Sequence, residues 1–270
     1  VNVSESTQAA VKDDTKVGME SEELRGTSVL PPLLSVIIPV FNERETIERV
    51  IATVLSVPLD LEVIVVDDGS GDGTQQLLSN VNLPRTRVLF HEQNRGKGSA
   101  IRTGLTVALG ELTVIQDADL EYDPQELPLV IGPLQTREAE VVYGSRYLEE
   151  NSGEGFRLFR YGVSFLNVVV RMMYGQKLSD SATCYKAAPT DLLRHLDLQC
   201  ERFEFCPEVT SKICRMGIDI LEVPISYFPR SSDEGKKIRA RDGWDAFKTY
   251  LKYRSWQPRS QWKRAEVVNA

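Results

Sequence analysis

LLSVIIPVFNE, residues 33–43, joins a short, almost continuously apolar run to an abrupt polar end. A run of that length, rich in Val and Ile and without polar alternation, reads as a strand buried on both faces. The pattern recurs along the chain. LEVIVV (61–66) stops at Asp67-Asp68-Gly69-Ser70, a strand near Arg87–Phe90 stops before Asn94-Arg95-Gly96, and LTVIQ (112–116) stops at Asp117-Ala118-Asp119. Helical spacings separate them: Ile47, Val50, Ile51, Val54 and Leu55 recur at i, i+3, i+4, i+7 and i+8. A short helix fits Thr74–Ser79, and another, from about Gly98 to Leu109, puts Ile101, Leu105 and Ala108 on one face. Asn42 followed by Glu45 reads as a capping-box variant that starts the first helix. Strand and helix alternating four times predict an α/β, doubly wound, mostly parallel sheet with helices on both faces. Such sheets bind ligands beyond the carboxyl ends of their strands, which is where the polar clusters fall.

The rest of the chain is less regular. A helix is expected from about Phe156 to Tyr174, a further segment around Asp180–Lys186, a helix near Glu204–Met216 and a strand at DILEVPI (219–225). Residues 1–32 are rich in Ser, Thr, Glu and Asp, end in Pro31-Pro32 and read as a flexible tail. The expected division is that tail, a main domain over 33–230, and a basic C-terminal lid and tail over 231–270.

With 270 residues, 41% of them hydrophobic, the chain has enough apolar side chain for a substantial core. Its net charge of −7 opposes a nucleic-acid binder, whose footprint is basic. Residues 230–264 nevertheless carry eleven Lys/Arg against four Asp/Glu. The cluster Lys236, Lys237, Arg239, Arg241 fits a solvated loop, a lid or an anchor to anionic lipid. No stretch reaches the ~18 apolar residues of a membrane span, and the polar opening lacks the pattern of a signal peptide, so a soluble or membrane-peripheral protein is expected. Cys184, Cys200, Cys206 and Cys214 form no CxxC pair, as expected of reduced thiols in a cytoplasmic protein. His91 and His195 stand apart from any ligand spacing and read as structural.

Three motifs carry chemistry. Asp117, Asp119 and Glu121, two apart, would share a face of an extended segment and offer the oxygen ligands that hard divalent cations take, although the first two alone also fit a solvated turn. The Asp67–Gly73 stretch is either a loop of turn formers or a carboxylate aimed at a nucleobase or ribose. Asn94-Arg95-Gly96-Lys97-Gly98 supplies glycines for close backbone approach and cations for phosphate, without being a Walker loop. Arg160 and Ser164, four apart, share one face of a helix whose apolar set fits either a core or a membrane interface.

IIPVFNE, VVDDGSGDGT, NRGKGSAI, QDADLEYDP and GSRY, in this order, together resemble the inverting family 2 glycosyltransferases of GT-A fold, over about Leu33–Ile238. Arg160, Ser164 and Asn167, followed by Gly175 and Asp180, resemble the acceptor region of the dolichyl- or polyprenyl-phosphate sugar synthases. EVPISYFPRSSDEGKKI resembles the segment that closes over the donor phosphates. Where the family pattern has a Gly-Phe pair, this chain has Cys184-Tyr185. The resemblance implies nucleotide contacts at Pro39, Asn42, Glu43, Asp68, Lys97 and Asp117. It also implies a Mg2+ or Mn2+ shell at Asp117, Asp119 and Glu121, and phosphate contacts at Arg146, Arg160, Ser164 and Arg230. The implied reaction moves a sugar from a UDP- or GDP-linked donor to a polyprenyl phosphate at the cytoplasmic membrane face. A phosphate nucleophile needs no general base; a hydroxyl acceptor would need one, and Asp180 or Glu204 is the candidate. A nucleotidyltransferase and a catalytically silent binding module are the remaining alternatives.

Overall fold

β1 (Leu34–Val40) is buried along its length, and its neighbours explain why. It pairs in parallel with β2 (Leu61–Asp67) from Leu34 opposite Leu61 to Val40 opposite Asp67, and on its other edge with β4 (Leu112–Ile115). Being central, it meets side chains on both faces, which selects a run of apolar residues over an alternating one. β3 (Thr86–Phe90) extends the sheet beyond β2. The computed structural model describes residues 32–148, 157–230 and 240–264. Within them a seven-stranded sheet has the order β3-β2-β1-β4-β6-β5-β7, with β5 at Val141–Ser145, β6 at Lys186–Pro189 and β7 at Ile220–Pro224. β6 alone runs antiparallel to its neighbours β4 and β5, so six strands point the same way.

Helices cover both faces, as the alternation predicts. On one face α1 (Ile47–Leu55) and α4 (Leu127–Gln135) pack against Val36, Ile38, Val63 and Val65. On the other, α3 (Lys97–Val107), α5 (Arg157–Tyr174), α6 (Thr190–His195) and α7 (Phe205–Arg215) pack against Ile37, Ile64, Val66 and Tyr143. α2 (Thr74–Leu78) follows β2, and α8 (Ala240–Tyr253) buries Tyr250 and Tyr253 beside α5 and α7.

One expectation needs correction. Asn42 does not cap α1: its φ is +54°, its side-chain oxygen accepts from Gly71 N–H at 2.9 Å, and the helix starts at Ile47 after Thr46. Of the expected C-terminal lid and tail, residues 240–264 are described. Residues 240–264 belong to the same body as the sheet, with Trp262 Nε1 donating to Asp191 at 3.1 Å and Arg264 pairing with Glu111 at 2.7 Å. Residues 1–31 of the expected tail, and the cluster members Lys236, Lys237 and Arg239, lie outside the described residues.

Candidate active site

The carboxyl ends of β1, β2, β3, β4 and β5 lie on one edge of the sheet, and the loops that leave them are tied together by short polar contacts. After β1, Asn42 N–H donates to Ser70 Oγ at 2.9 Å and Glu43 N–H to Thr74 Oγ1 at 3.1 Å, so the first two loops are stitched into one wall. Pro39 sits in the last turn of β1 beside them, half-buried. After β2, Asp67 accepts from Ser70 N–H and Gln75 Nε2, both at 3.0 Å, through Oδ1; its Oδ2 is enclosed without a partner among the described residues. Asp68, 3% exposed, accepts from Arg95 N–H at 2.9 Å, Gly96 N–H at 2.6 Å and His91 Nδ1 at 2.7 Å. Gly96 is required there: its φ is +98° and a Cβ would collide with the Glu201 carbonyl.

The acidic row after β4 is tied to its surroundings residue by residue. Among the described residues no three metal-ligating side chains converge. β4 ends at Ile115, and Leu120 turns the chain with φ +63°. Asp117 is instead paired with Lys97, which also donates to Cys184 Sγ at 2.9 Å. Against its burial, the Lys97 ammonium holds the Asp117 carboxyl below the usual range. Lys97, expected on phosphate, is thus committed to an acid. Glu121 accepts from Tyr227 Oη at 2.6 Å and Arg230 N–H at 3.0 Å, which pins the 227–230 segment. Asp119 accepts from Glu121 N–H at 3.1 Å. Burial, reinforced by the negative charges of Asp117 and Glu121, pushes its carboxyl up to about 7.

Arg230 reaches back across this edge, donating to the Asp119 carbonyl at 2.7 and 2.9 Å and to Glu43 Oε2 at 2.9 Å. Residues from β1, β4 and the chain after β7 therefore meet at one point. Arg146, at the end of β5, is 5% exposed and bound bidentately by Asp180, at 2.6 and 2.8 Å. Burial alone would weaken its charge, but Asp180 holds it firmly protonated. Asp180 is itself positioned by Glu222, which accepts from its backbone N–H at 2.8 Å and from that of Ser179 at 2.6 Å. The carboxylate weighed as a base is therefore already spent on a guanidinium. The other, Glu204, has an enclosed Oε2 without a partner among the described residues.

Arg160 is exposed on α5, its guanidinium 5.6 Å from the Tyr147 ring centroid, and Arg146 lies 5.5 Å from the same ring. Tyr147 thus lies between the two arginines, a link the sequence motif GSRY did not announce. Ser164 is exposed one turn along from Arg160. Asn167 ties that helix to the 179–181 loop, donating to the Ser179 carbonyl at 2.6 Å and accepting from Ser181 N–H at 3.0 Å. His91, Tyr147 and Tyr227 are the participants that the sequence left unassigned; only their positions one strand-end or one turn from the motifs could have flagged them.

The glycosyl transferase family 2 model matches residues 35–188. The chain is similar to the dodecaprenyl-phosphate galacturonate synthase of Rhizobium johnstonii, 30% identical over 196 residues, covering 69% of this chain and 57% of that protein. It is similar also to the undecaprenyl-phosphate mannosyltransferase of Micrococcus luteus, 30% identical over 209 residues, covering 74% of this chain and 85% of the relative. The chain thus spans little more than half the length of the first relative and most of the second. Among solved structures, glucosyl-3-phosphoglycerate synthase from Mycobacterium tuberculosis with Mn2+, UDP and phosphoglyceric acid superposes with a TM-score of 0.63 at 24% identity, over 84% of this chain and 80% of that one. Its complex with Mn2+, UDP-glucose and phosphoglyceric acid gives 0.60 at 25% identity, over 83% and 80%.

Proposed function

Because the chain belongs to glycosyltransferase family 2, we propose that it is an inverting transferase that moves a sugar from a nucleoside-diphosphate donor to a polyprenyl phosphate. The relatives' names supply the acceptor class, and the site supports it. One observation carries the choice of acceptor: Asp180, weighed as a base, is consumed by Arg146, while Arg160 and Ser164 stand exposed on α5. A lipid phosphate is ionised near neutral pH and needs cationic and hydroxyl donors to hold it, not a base.

In this reading Pro39, Asn42, Glu43 and Asp68 receive the nucleoside, with Lys97 and Asp117 as the neutralised pair beneath it. Asp119 is the residue suited to a divalent cation: its oxygens are of the type Mg2+ and Mn2+ prefer, and its raised pKa marks negative charge in need of a partner. The solved relative that carries UDP-glucose also carries Mn2+, which fits this donor set. A cation held there would act as a Lewis acid toward the leaving diphosphate. Arg146 and Arg230 contribute fixed positive charge to the same region, and the Asp180 clamp and the Glu43 and Asp119 contacts keep both in place without reorganisation.

The acceptor implies a membrane surface. No described helix is long and apolar enough to cross one. Tyr161, Phe165, Val168 and Met172 nevertheless form an exposed apolar stripe on α5 at i, i+4, i+7 and i+11. Phe165 meets Phe247 of α8 with centroids 6.0 Å apart, which continues the face to exposed Trp244 and Leu251 beside Lys248 and Lys252. An apolar face with basic residues beside it suits insertion among anionic headgroups. Four free thiols fit a reducing compartment, hence the cytoplasmic face.

A second reading, transfer to a hydroxyl, is favoured by the unpartnered Glu204 Oε2, which could take a proton. The variants separate the two. Arg160→Ala should cut transfer to polyprenyl phosphate by ~100-fold, about 2.7 kcal/mol, while sparing slow hydrolysis of the donor. An inactive Glu204→Gln beside a near-normal Arg160→Ala would establish the hydroxyl reading instead.

A further inference from the structure

The carboxylate of Asp68 is nearly full before any ligand arrives. Oδ1 accepts from Arg95 N–H and from His91 Nδ1, and Oδ2 from Gly96 N–H. Facing a carboxylate that already accepts two backbone N–H groups, Nδ1 donates, and Nε2 pairs with the Thr103 hydroxyl 2.9 Å away. The ring, 7% exposed, is fixed at both nitrogens between β2 and α3. It has no freedom to release Asp68 when a ligand enters.

Two carboxylate oxygens offer about four acceptor positions. Three are filled by groups of the fold, both positions on Oδ1 and one on Oδ2. One remains, on Oδ2.

That count separates nucleobases. Guanine presents two adjacent donors, the ring N1–H and the exocyclic amine, a pair that a carboxylate meets with one free position on each oxygen. Uracil presents a single N3–H between two carbonyls. We infer that His91, by filling the second position on Oδ1, leaves Asp68 able to accept one N–H only and so selects uridine over guanosine diphosphate sugars. The inference rests on the reading of Asp68 as a nucleobase contact and names the donor class within it. Seen this way His91 is a positioning residue: it touches no substrate, and it sets what Asp68 can recognise.

The test is calorimetric binding of UDP and GDP, with Mn2+ and without acceptor, to the wild-type protein and three variants. Wild type should bind UDP on the order of 30-fold more tightly than GDP, because one guanine donor would be left buried and unpaired. His91→Asn keeps an N–H near the Nδ1 position and should keep that ratio. His91→Gln reaches the Nε2 position instead, frees Oδ1, and should narrow the ratio by ~10-fold. Asp68→Ala should weaken UDP and bring the two nucleotides close together. A probe independent of any variant is UDP methylated at N3, which should bind wild type at least ~10-fold more weakly than UDP. Equal or tighter GDP binding by wild type, or a ratio unchanged in His91→Gln while Asp68→Ala still weakens UDP, would overturn the role of His91 alone. Undiminished UDP binding by Asp68→Ala, with no penalty for N3 methylation, would overturn the nucleobase reading beneath it.

Discussion

Replacing Asp119 by Asn should change how stability depends on pH, in a direction opposite to that of an ordinary surface acid. Burial and the neighbouring charges of Asp117 and Glu121 carry its carboxyl from 3.8 to about 7, so the folded protein keeps a proton that the unfolded chain releases. Ionising Asp119 in the folded state therefore costs on the order of 4 kcal/mol more than in the unfolded chain. Stability from this group is complete below pH 4 and is lost as pH rises toward 7. For a urea m-value of about 2–3 kcal/mol/M, the midpoint should fall by roughly 1–2 M across that window. The assay is urea unfolding followed by tryptophan fluorescence from pH 4 to pH 8 in EDTA, with the Asp119→Asn curve subtracted from wild type so that other carboxylates cancel. The variant should lose the decline and, at pH 8, be the more stable protein. An Asp119→Asn protein that declines as steeply as wild type would refute the claim that this carboxylate is strained by its neighbours and seeks a cation.

Other outcomes follow from single contacts. Asp180→Asn removes the anchor of a buried guanidinium and should cost about 3–5 kcal/mol, read as a lower urea midpoint with transfer activity reduced alongside; an unchanged midpoint would sink the clamp. Gly104→Ala would bring a Cβ to 2.7 Å from Ile37 Cγ2 on the central strand and should destabilise by about 1–3 kcal/mol, with normal thermal unfolding as the contrary result. Phe165→Ser with Met172→Ser should weaken sedimentation with anionic vesicles by ~10-fold or more, yet leave turnover of a short, water-soluble polyprenyl phosphate near normal. Equal vesicle binding would remove the α5 face from the membrane reading.

The half of the fold that is built from strictly parallel strands could be read from the chain, because burial on both faces writes itself as unbroken apolar runs such as VIIPV and VIVV. β5 and β6 could not. VVYGS runs into the GSRY motif without a strand signal of its own, and KAAP, four residues with a lysine and a proline, becomes a strand because β4 and β5 hold it from either side. α8 was hidden by its charge: Arg241, Lys248 and Lys252 are exposed on a helix whose Tyr250 and Tyr253 are buried. At the site, the motifs named the candidates but not the partners they meet. Nothing in QDADLE tells that Asp117 will meet Lys97, twenty residues earlier, or that Glu121 will be taken by Tyr227 and Arg230. The chain leaves extended structure after Ile115 and turns with a left-handed Leu120 before Glu121. His91 looked structural because its partners, Asp68 and Thr103, come from different elements.

The most direct measurement is the identity of the product. Purified protein, given UDP-sugars labelled in the sugar, Mn2+ and a polyprenyl phosphate in detergent, should transfer label from one of them to an organic-extractable, acid-labile lipid phosphate sugar, with the anomeric configuration inverted and with no transfer in EDTA. Label appearing only on a hydroxyl acceptor with none in the lipid phosphate, or undiminished transfer in EDTA, would contradict a cation-assisted polyprenyl-phosphate sugar transferase.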